Sequence, residues 1–222
     1  MKTNTTELVM ILDKSGSMHG LEADTIGGFN SMIEKQRREE GKVYVSVVLF
    51  NERSHVIYDR TDLEKVEPMN GNQYSVSGCT ALLDAVGNAI HHIGNVHKYA
   101  RKEDVPDRTV FMITTDGMEN ASRQYTYDSL KRLIEKQKEK YGWEFIFMGA
   151  NIDAIETAAR FGIQRERAAT YRCDSKGTAI NFDVMSEIVH RVRASSSHRQ
   201  MKADLDEAEV MAPIRMHFEG KE

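Results

Sequence analysis

Residues 8–17 of the chain have the sequence LVMILDKSGS, and this stretch decides the fold class. Its first five residues are apolar without interruption, which is typical of a β-strand covered on both faces by helices. Asp13 ends the run, and Ser15 and Ser17 follow in a short loop. The pattern therefore predicts a central strand of a parallel sheet, with polar side chains just beyond its carboxyl end.

Further apolar runs are separated by longer stretches of helical periodicity. The other runs that predict covered strands are residues 43–50, 110–114 and 145–148. Between them apolar residues recur every three or four positions, for example at Ile26, Phe29 and Ile33. Residues 54–58 predict an antiparallel edge strand, and residues 168–171 a short final strand. The expected fold is a doubly wound α/β domain: a mostly parallel six-stranded sheet with one antiparallel edge strand and helices on both faces.

The length of 222 residues fits one large domain followed by an extension. Three serines at 195–197 precede a charged stretch, so we expect the domain to cover residues 1–195 and a tail to cover residues 196–222. In the tail Ile214, Met216 and Phe218 alternate with polar residues. The tail is expected to form an extra element, such as a short edge strand, to act as an interaction segment, or to be disordered.

Composition and charge exclude several classes of function. Lys and Arg number 30 against 34 Asp and Glu, which gives a net charge of -4 and no basic field for nucleic acid. The apolar runs are much shorter than the roughly 20 residues of a membrane-spanning helix. The first run is also too short for a secretory signal, so a cytoplasmic location is expected. The two cysteines, Cys79 and Cys173, are too few for a disulfide framework and are interpreted as reduced thiols.

Five oxygen-bearing side chains are expected to meet at one edge of the sheet. Asp13, Ser15 and Ser17 follow the first strand, Asp116 follows residues 111–115, and Thr80 precedes a helix. In doubly wound sheets the ligand crevice lies outside the carboxyl ends of the strands where the strand order reverses. Two carboxylates with three hydroxyls favour a hard divalent cation, Mg²⁺ first, with Mn²⁺ or Ca²⁺ as alternatives.

This ordered set resembles the metal-ion-dependent adhesion site of von Willebrand factor A domains. That family has an Asp-x-Ser-x-Ser loop, a distant Thr and a distant Asp, and all five positions are present here. The resemblance implies an ion held directly by Ser15, Ser17 and Thr80, with Asp13 and Asp116 often acting through water. It also implies a protein-binding module, not an enzyme, in which a Glu or Asp carboxylate of a partner protein completes the coordination.

Several apolar or amphipathic residues lie in the loops around the expected ion. Such residues are enriched in the centre of protein interfaces. We therefore predict that they form a partner-binding rim around the site. The predicted rim residues are Met18, His19, Tyr74 and Met118.

Two other functions compete with this interpretation. The chain could be a structural or assembly subunit that docks through its tail, with an incidental metal. It could also be a Mg²⁺-dependent phosphoryl-transfer enzyme with Asp13 as nucleophile and Asp116 as a metal ligand. The resemblance to haloacid-dehalogenase-type phosphatases is superficial, because Ser15 stands where that family has a second Asp. His91, His92 and His97 lack the i, i+4 spacing of a helical metal-ligand pair and are interpreted as a helix face.

Overall fold

Six β-strands form one sheet in the computed structural model, which describes residues 4–207 and 209–221. The strand order is β3-β2-β1-β4-β5-β6. The strands are β1 (Thr5–Asp13), β2 (Lys42–Phe50), β3 (Ser54–Asp62), β4 (Arg108–Thr115), β5 (Glu144–Gly149) and β6 (Ala168–Thr170). The helices are α1 (Glu22–Arg37), α2 (Leu82–Tyr99), α3 (Tyr127–Tyr141), α4 (Ala154–Arg160), α5 (Ser175–Ala194), α6 (His198–Glu207) and α7 (Ala212–Glu219).

All neighbouring strands run parallel except β2 and β3, which pair antiparallel at the edge. This arrangement confirms the predicted fold class. The chain passes from β1 to β2 on one side and later returns to β4 on the other side of β1. The strand order therefore reverses between β1 and β4, which places the carboxyl ends of these two strands beside the ligand crevice of the fold.

The sheet separates two apolar layers, and β1 contributes to both. Leu8, Met10 and Leu12 face the layer that contains residues of α1 and α5. Val9 and Ile11 face the layer that contains residues of α2, α3 and α4. Every residue of β1 is buried, which explains why the strand is apolar without alternation. At roughly 25 cal/mol per Å² of buried apolar surface, these layers supply most of the stabilisation of the fold.

In the described part of the tail, α6 and α7 follow residue 195, and α7 corrects one prediction. Ile214, Met216 and Phe218 lie in α7, so the short edge strand suggested by their alternation is wrong. Pro213 in the first turn and the left-handed Gly220 at the end are favourable positions for helix termini. Ile214 is buried in the layer formed with α5, whereas Met216 and Phe218 are about half exposed. None of the helices in the described residues is long and apolar enough to cross a membrane.

Candidate metal site

Two buried carboxylates lie side by side at the carboxyl ends of the central strands. Asp13 is the last residue of β1, and Asp116 directly follows β4. Each is only 1% exposed. Because β1 and β4 are parallel neighbours, their ends meet at the same edge of the sheet. The structure thus places the two predicted carboxylates together at the point where the strand order reverses.

The Asp13 side chain is fixed by hydrogen bonds on both carboxylate oxygens. Oδ1 accepts a hydrogen bond from the backbone N–H of Ser15 at 2.7 Å. Oδ2 accepts one from the hydroxyl of Thr115 at 2.5 Å. The hydroxyl of Tyr74 donates to the backbone carbonyl of the same aspartate. These contacts hold the carboxylate in one orientation, as ligands of a preorganised site require.

Three hydroxyls surround one point next to Asp116. The Oγ atoms of Ser15 and Ser17 are 3.0 Å apart, and Ser17 Oγ donates a hydrogen bond to Oδ1 of Asp116. A Cβ atom added to Gly117 would lie 3.1 Å from Ser17 Oγ, 3.1 Å from Thr80 Oγ1 and 3.9 Å from Ser15 Oγ. The absence of a side chain at Gly117 therefore leaves a small space lined by hydroxyl oxygens.

The electrostatics of the site favour a bound cation. Burial raises the pKa of Asp13, and the hydrogen bonds from Thr115 and Ser15 oppose that rise. Burial also raises the pKa of Asp116, and the negative charge of Asp13 adds to the effect while Ser17 opposes it. Two close carboxylates that have lost water are stabilised in their charged form by a positive ion.

The donor set fits a hard divalent ion. Carboxylate and hydroxyl oxygens suit Mg²⁺ and Mn²⁺ better than ions that prefer sulfur or imidazole. In residues 4–207 and 209–221, no group of three or more His, Cys, Asp or Glu side chains is arranged to hold a metal. Any ion at this edge would therefore depend on the hydroxyls of Ser15, Ser17 and Thr80 as well as on the carboxylates.

Hydrogen bonds connect the loop after Asp116 to the start of α2. They involve residues that the sequence analysis did not identify. Asn120 accepts a hydrogen bond from the backbone N–H of Thr80 at 2.9 Å. Glu119 accepts hydrogen bonds from the backbone N–H groups of Leu83 at 2.9 Å and Ser122 at 2.8 Å. These contacts position Thr80 relative to Asp116. A polar loop following a buried strand was the only signal for them in the sequence.

A thiol also lies at the site. Cys173 Sγ is 3.7 Å from Oδ2 of Asp116. The side chain is exposed and free, as is Cys79. The sulfur atom is nevertheless partly covered by its neighbours. This partial burial and the negative charge of Asp116 raise the pKa of Cys173, so the thiol is kept protonated at neutral pH. Its position could not be predicted because it depends on how the loop after β6 packs against the end of β4.

Two of the four predicted rim residues lie at the surface. His19 has a side chain that is 87% exposed, and Met118 is 74% exposed. Tyr74 and Met18 are buried, at 1% and 3% exposure, so the prediction that they face a partner is wrong. The ring of Tyr74 packs in the α1 and α5 layer while its hydroxyl reaches Asp13. Met18 turns inward within a short 3₁₀ turn.

The three histidines of α2 have separate partners. His91 contacts the hydroxyl of Tyr125 at 2.6 Å, His92 contacts Asp59 at 2.8 Å, and His97 contacts Glu7 at 3.2 Å. They point to different parts of the molecule.

Comparison with known proteins identifies the fold. No protein-family model matches the sequence, and no significant match occurs among curated proteins. Among solved structures, the von Willebrand factor domain of the type V pili tip protein Mfa5 from Porphyromonas gingivalis has a TM-score of 0.60 at 11% identity. That match covers 83% of this chain and 95% of the other. The type A domain from Catenulispora acidiphila has a TM-score of 0.53 at 14% identity, covering 82% and 42%.

A third similar structure is proximal thread matrix protein 1 from the mussel byssus with a zinc-occupied metal-ion-dependent adhesion site. It has a TM-score of 0.55 at 18% identity, covering 85% of this chain and 44% of the other. The chain thus spans less than half the length of the mussel protein. These likenesses show that the chain has the von Willebrand factor A fold.

Proposed function

We propose that the chain is a divalent-cation-dependent protein-binding module. The observation that carries the proposal is the convergence of the hydroxyls of Ser15, Ser17 and Thr80 on one point beside Gly117. That point adjoins Asp116, which is buried next to Asp13. Hydroxyls and carboxylates gathered at the ligand crevice of a doubly wound sheet are an arrangement suited to a hard cation.

The ion would be held by Ser15, Ser17 and Thr80 directly and by Asp13 and Asp116 directly or through water. When bound, it would supply a positive centre that accepts a carboxylate oxygen from an Asp or Glu of a partner protein. Mg²⁺ is the first choice, and Mn²⁺ or Ca²⁺ are alternatives. The zinc in the adhesion site of the structurally similar mussel byssus protein supports a divalent ion as the ligand of this site.

The exposed side chains next to the site suit contact with a protein. Met118 and His19 extend into solvent, His19 in the loop after Asp13 and Met118 in the loop after Asp116. Met is favoured at interfaces, and its flexible side chain adapts to partners of different shape. We propose that these two residues form the rim against which a partner packs.

Binding explains the Asp13 geometry better than phosphoryl transfer does. Hydrogen bonds that a carboxylate oxygen accepts reduce its nucleophilicity. In this chain Oδ1 is bonded to the Ser15 N–H and Oδ2 to the Thr115 hydroxyl. The side chain is therefore arranged as a fixed anion beside a cation, and we propose a binding role without catalysis.

An assembly role through the C-terminal helix is the second candidate. It is favoured by Met216 and Phe218 of α7, which are 48% and 51% exposed. Removal of residues 196–222 would also remove Met201, Leu205 and Ile214 from the core. The assembly role is therefore tested better by the double variant Met216→Ser/Phe218→Ser than by removal of the tail. The variant keeps the core residues and removes only the exposed apolar surface.

Water-proton relaxation with Mn²⁺ tests the proposed function. Bound Mn²⁺ that keeps exchangeable water enhances the relaxation rate, and a carboxylate that replaces this water reduces the enhancement. A peptide Ac-Gly-Glu-Gly-NH₂ at millimolar concentration should lower it, whereas Ac-Gly-Gln-Gly-NH₂ should not. An equal response to the two peptides would contradict the proposal, as would enhancement that persists in Asp13→Ala/Asp116→Ala.

A further inference from the structure

A cavity lies at the opposite edge of the sheet from the candidate metal site. It is about 660 Å³ in volume and opens between α2 and α3, with the first residues of β4 and Trp143 at its base. Pockets that bind small molecules are usually about 300–1,000 Å³ in volume. None of the five residues at the metal site lines it. The cavity is therefore a separate feature of the molecule.

The base of the cavity carries a buried positive charge. Arg108 is 8% exposed, and its Nη1 donates a hydrogen bond to Oδ1 of Asn4 at 2.6 Å. Its Nε has no hydrogen-bond partner, and none of the described carboxylates lies within the 4 Å of an ion pair. Asp107 is adjacent in the chain and its negative charge partly offsets the burial of Arg108, while one oxygen of its carboxylate accepts the N–H of Thr5 at 3.1 Å. A buried guanidinium without an ion pair is stabilised by an anion placed beside it.

The rest of the lining is also richer in positive than in negative charge. Lys98 of α2 and Lys136 of α3 stand at the mouth, and Asp107 is the one carboxylate among the lining residues. Two lysines at the entrance and an arginine at the base attract a negatively charged ligand and oppose a cation. The charge distribution therefore indicates an anionic ligand.

Trp143 and Gly94 both line the cavity and lie next to each other. The ring of Trp143 stacks on Phe111 with 5.3 Å between centroids, and the indole is 4% exposed. Gly94 of α2 faces it, and a Cβ there would lie 3.9 Å from the Trp143 ring and 3.7 Å from Nε2 of Gln137. The backbone of α2 thus lies too close to the indole for a ring to enter between them, and the lack of a side chain at Gly94 leaves only a small space at the edge of the indole. Oε1 of Gln137, a residue 7% exposed, has no hydrogen-bond partner.

We propose that this cavity binds a small organic anion. The negative group lies toward Arg108, and the apolar part of the ligand lies against Ile90 and Leu133, which line the cavity. A hydrogen-bond donor on the ligand would satisfy Gln137. The proposal is independent of the metal site, because the two sites share no residue.

Trp143 is the single tryptophan of the chain and lines this cavity, so a probe bound there quenches its fluorescence. We would titrate the protein, in the presence of a chelator, with 8-anilinonaphthalene-1-sulfonate and with its uncharged analogue N-phenyl-1-naphthylamine. The expected result is saturable quenching at one site per chain by the sulfonate, with binding at least about tenfold weaker for the neutral probe. Equal affinity for the two probes would overturn the proposal.

Two variants test the position of the probe. Arg108→Gln removes the charge and should weaken sulfonate binding at least about tenfold. Gly94→Leu fills the space beside Trp143 and should abolish binding, and it is expected to fold because a helix prefers leucine to glycine. Arg132→Gln on α3 and Gly27→Leu on α1 are the matched controls. Gly27 has nothing within 4 Å of an added Cβ.

Quenching that survives in Gly94→Leu would place the probe elsewhere and overturn the proposal. Circular dichroism of each variant establishes that it is folded. If Arg108→Gln fails to fold, Gly94→Leu and the pair of probes still decide the result.

Discussion

The hydroxyl of Thr115 donates a hydrogen bond at 2.5 Å to Oδ2 of Asp13, from the end of β4 to the end of β1. Oγ1 of the same threonine also lies 3.3 Å from the backbone N–H of Gly117. Thr115 thus connects the two strand ends that carry the carboxylates. It orients Asp13 without belonging to the predicted set of ion ligands, so it is a positioning residue of the candidate site.

Thr115→Val should weaken Mn²⁺ binding by about 10- to 100-fold, because the loss of a hydrogen bond that orients a ligand typically has this effect. The shape of the side chain is kept, so the fold should persist. Thr114→Val is the control, since the Thr114 hydroxyl instead faces Asn181, at 3.4 Å. Calorimetric titration measures both variants. Equal affinities in Thr114→Val and Thr115→Val would show that the contact with Asp13 does not support binding.

Gly117→Ala should abolish ion binding while leaving the fold intact. The added Cβ would lie 3.1 Å from Ser17 Oγ and Thr80 Oγ1, in the space between the hydroxyls. Gly71→Ala is the matched control, because nothing lies within 4 Å of a Cβ there. Thermal shift with and without Mg²⁺ measures the effect. A Mg²⁺-dependent rise in Tm that persists in Gly117→Ala would place the ion elsewhere.

Arg60→Met should destabilise the protein by about 3 kcal/mol, because it removes one partner of a buried charge. Glu7 is fully buried on β1, where it contacts Arg60 Nε at 2.8 Å and His97 Nε2 at 3.2 Å. Urea unfolding measures the loss. The double variant Glu7→Gln/Arg60→Met should be less destabilised than the sum of its single variants, since no charge is left unpaired. Additive losses would contradict the coupling.

Asp174, the residue that caps the start of α5, is expected to make a pH-dependent contribution to the stability of the fold. The Asp174 carboxylate accepts the backbone N–H of Gly177 at 2.6 Å, and this bond, with His217 and Arg172 nearby, lowers the pKa of Asp174. A lowered pKa stabilises the folded state above the ordinary value of about 3.9, and the effect is lost as pH falls through the folded-state pKa.

Asp174→Ala should therefore lower the free energy of unfolding by about 1 kcal/mol at pH 7, with a difference that shrinks below about pH 4. Asp174→Asn keeps the helix cap without the titration and should lose less at pH 7. Chemical unfolding at several pH values measures both variants. A loss in Asp174→Ala that stays constant down to pH 2 would contradict this explanation.

The sequence was sufficient for the fold because the central strands are buried on both faces. Residues 8–12 and 110–113 have no polar position, and such runs are typical of parallel strands covered on both faces. The tail was less predictable. Ile214, Met216 and Phe218 have the spacing of a strand, but Pro213 and Gly220 provide helix ends and only Ile214 meets the core. A three-residue alternation is too short to distinguish the two structures.

The carboxylates and hydroxyls were predictable because each lies at the end of a strand or the start of a helix. Their supporting contacts were not, since they depend on how loops meet in three dimensions. Tyr74 shows the difference: as an aromatic residue in a loop it was expected at the surface, but its ring fills the core and its hydroxyl bonds to the Asp13 carbonyl. The cavity at Trp143 likewise depends on the spacing of α2 and α3.

The most direct test of divalent-ion binding is isothermal titration calorimetry of the chelator-stripped protein with Mg²⁺ and with Mn²⁺. The same titrations are made on Asp13→Ala/Asp116→Ala, with circular dichroism to establish that the variant is folded. We expect saturable binding of one ion per chain in the unaltered protein and none in the variant. Absence of binding in both proteins, or equal binding in both, would contradict a metal site at the ends of β1 and β4.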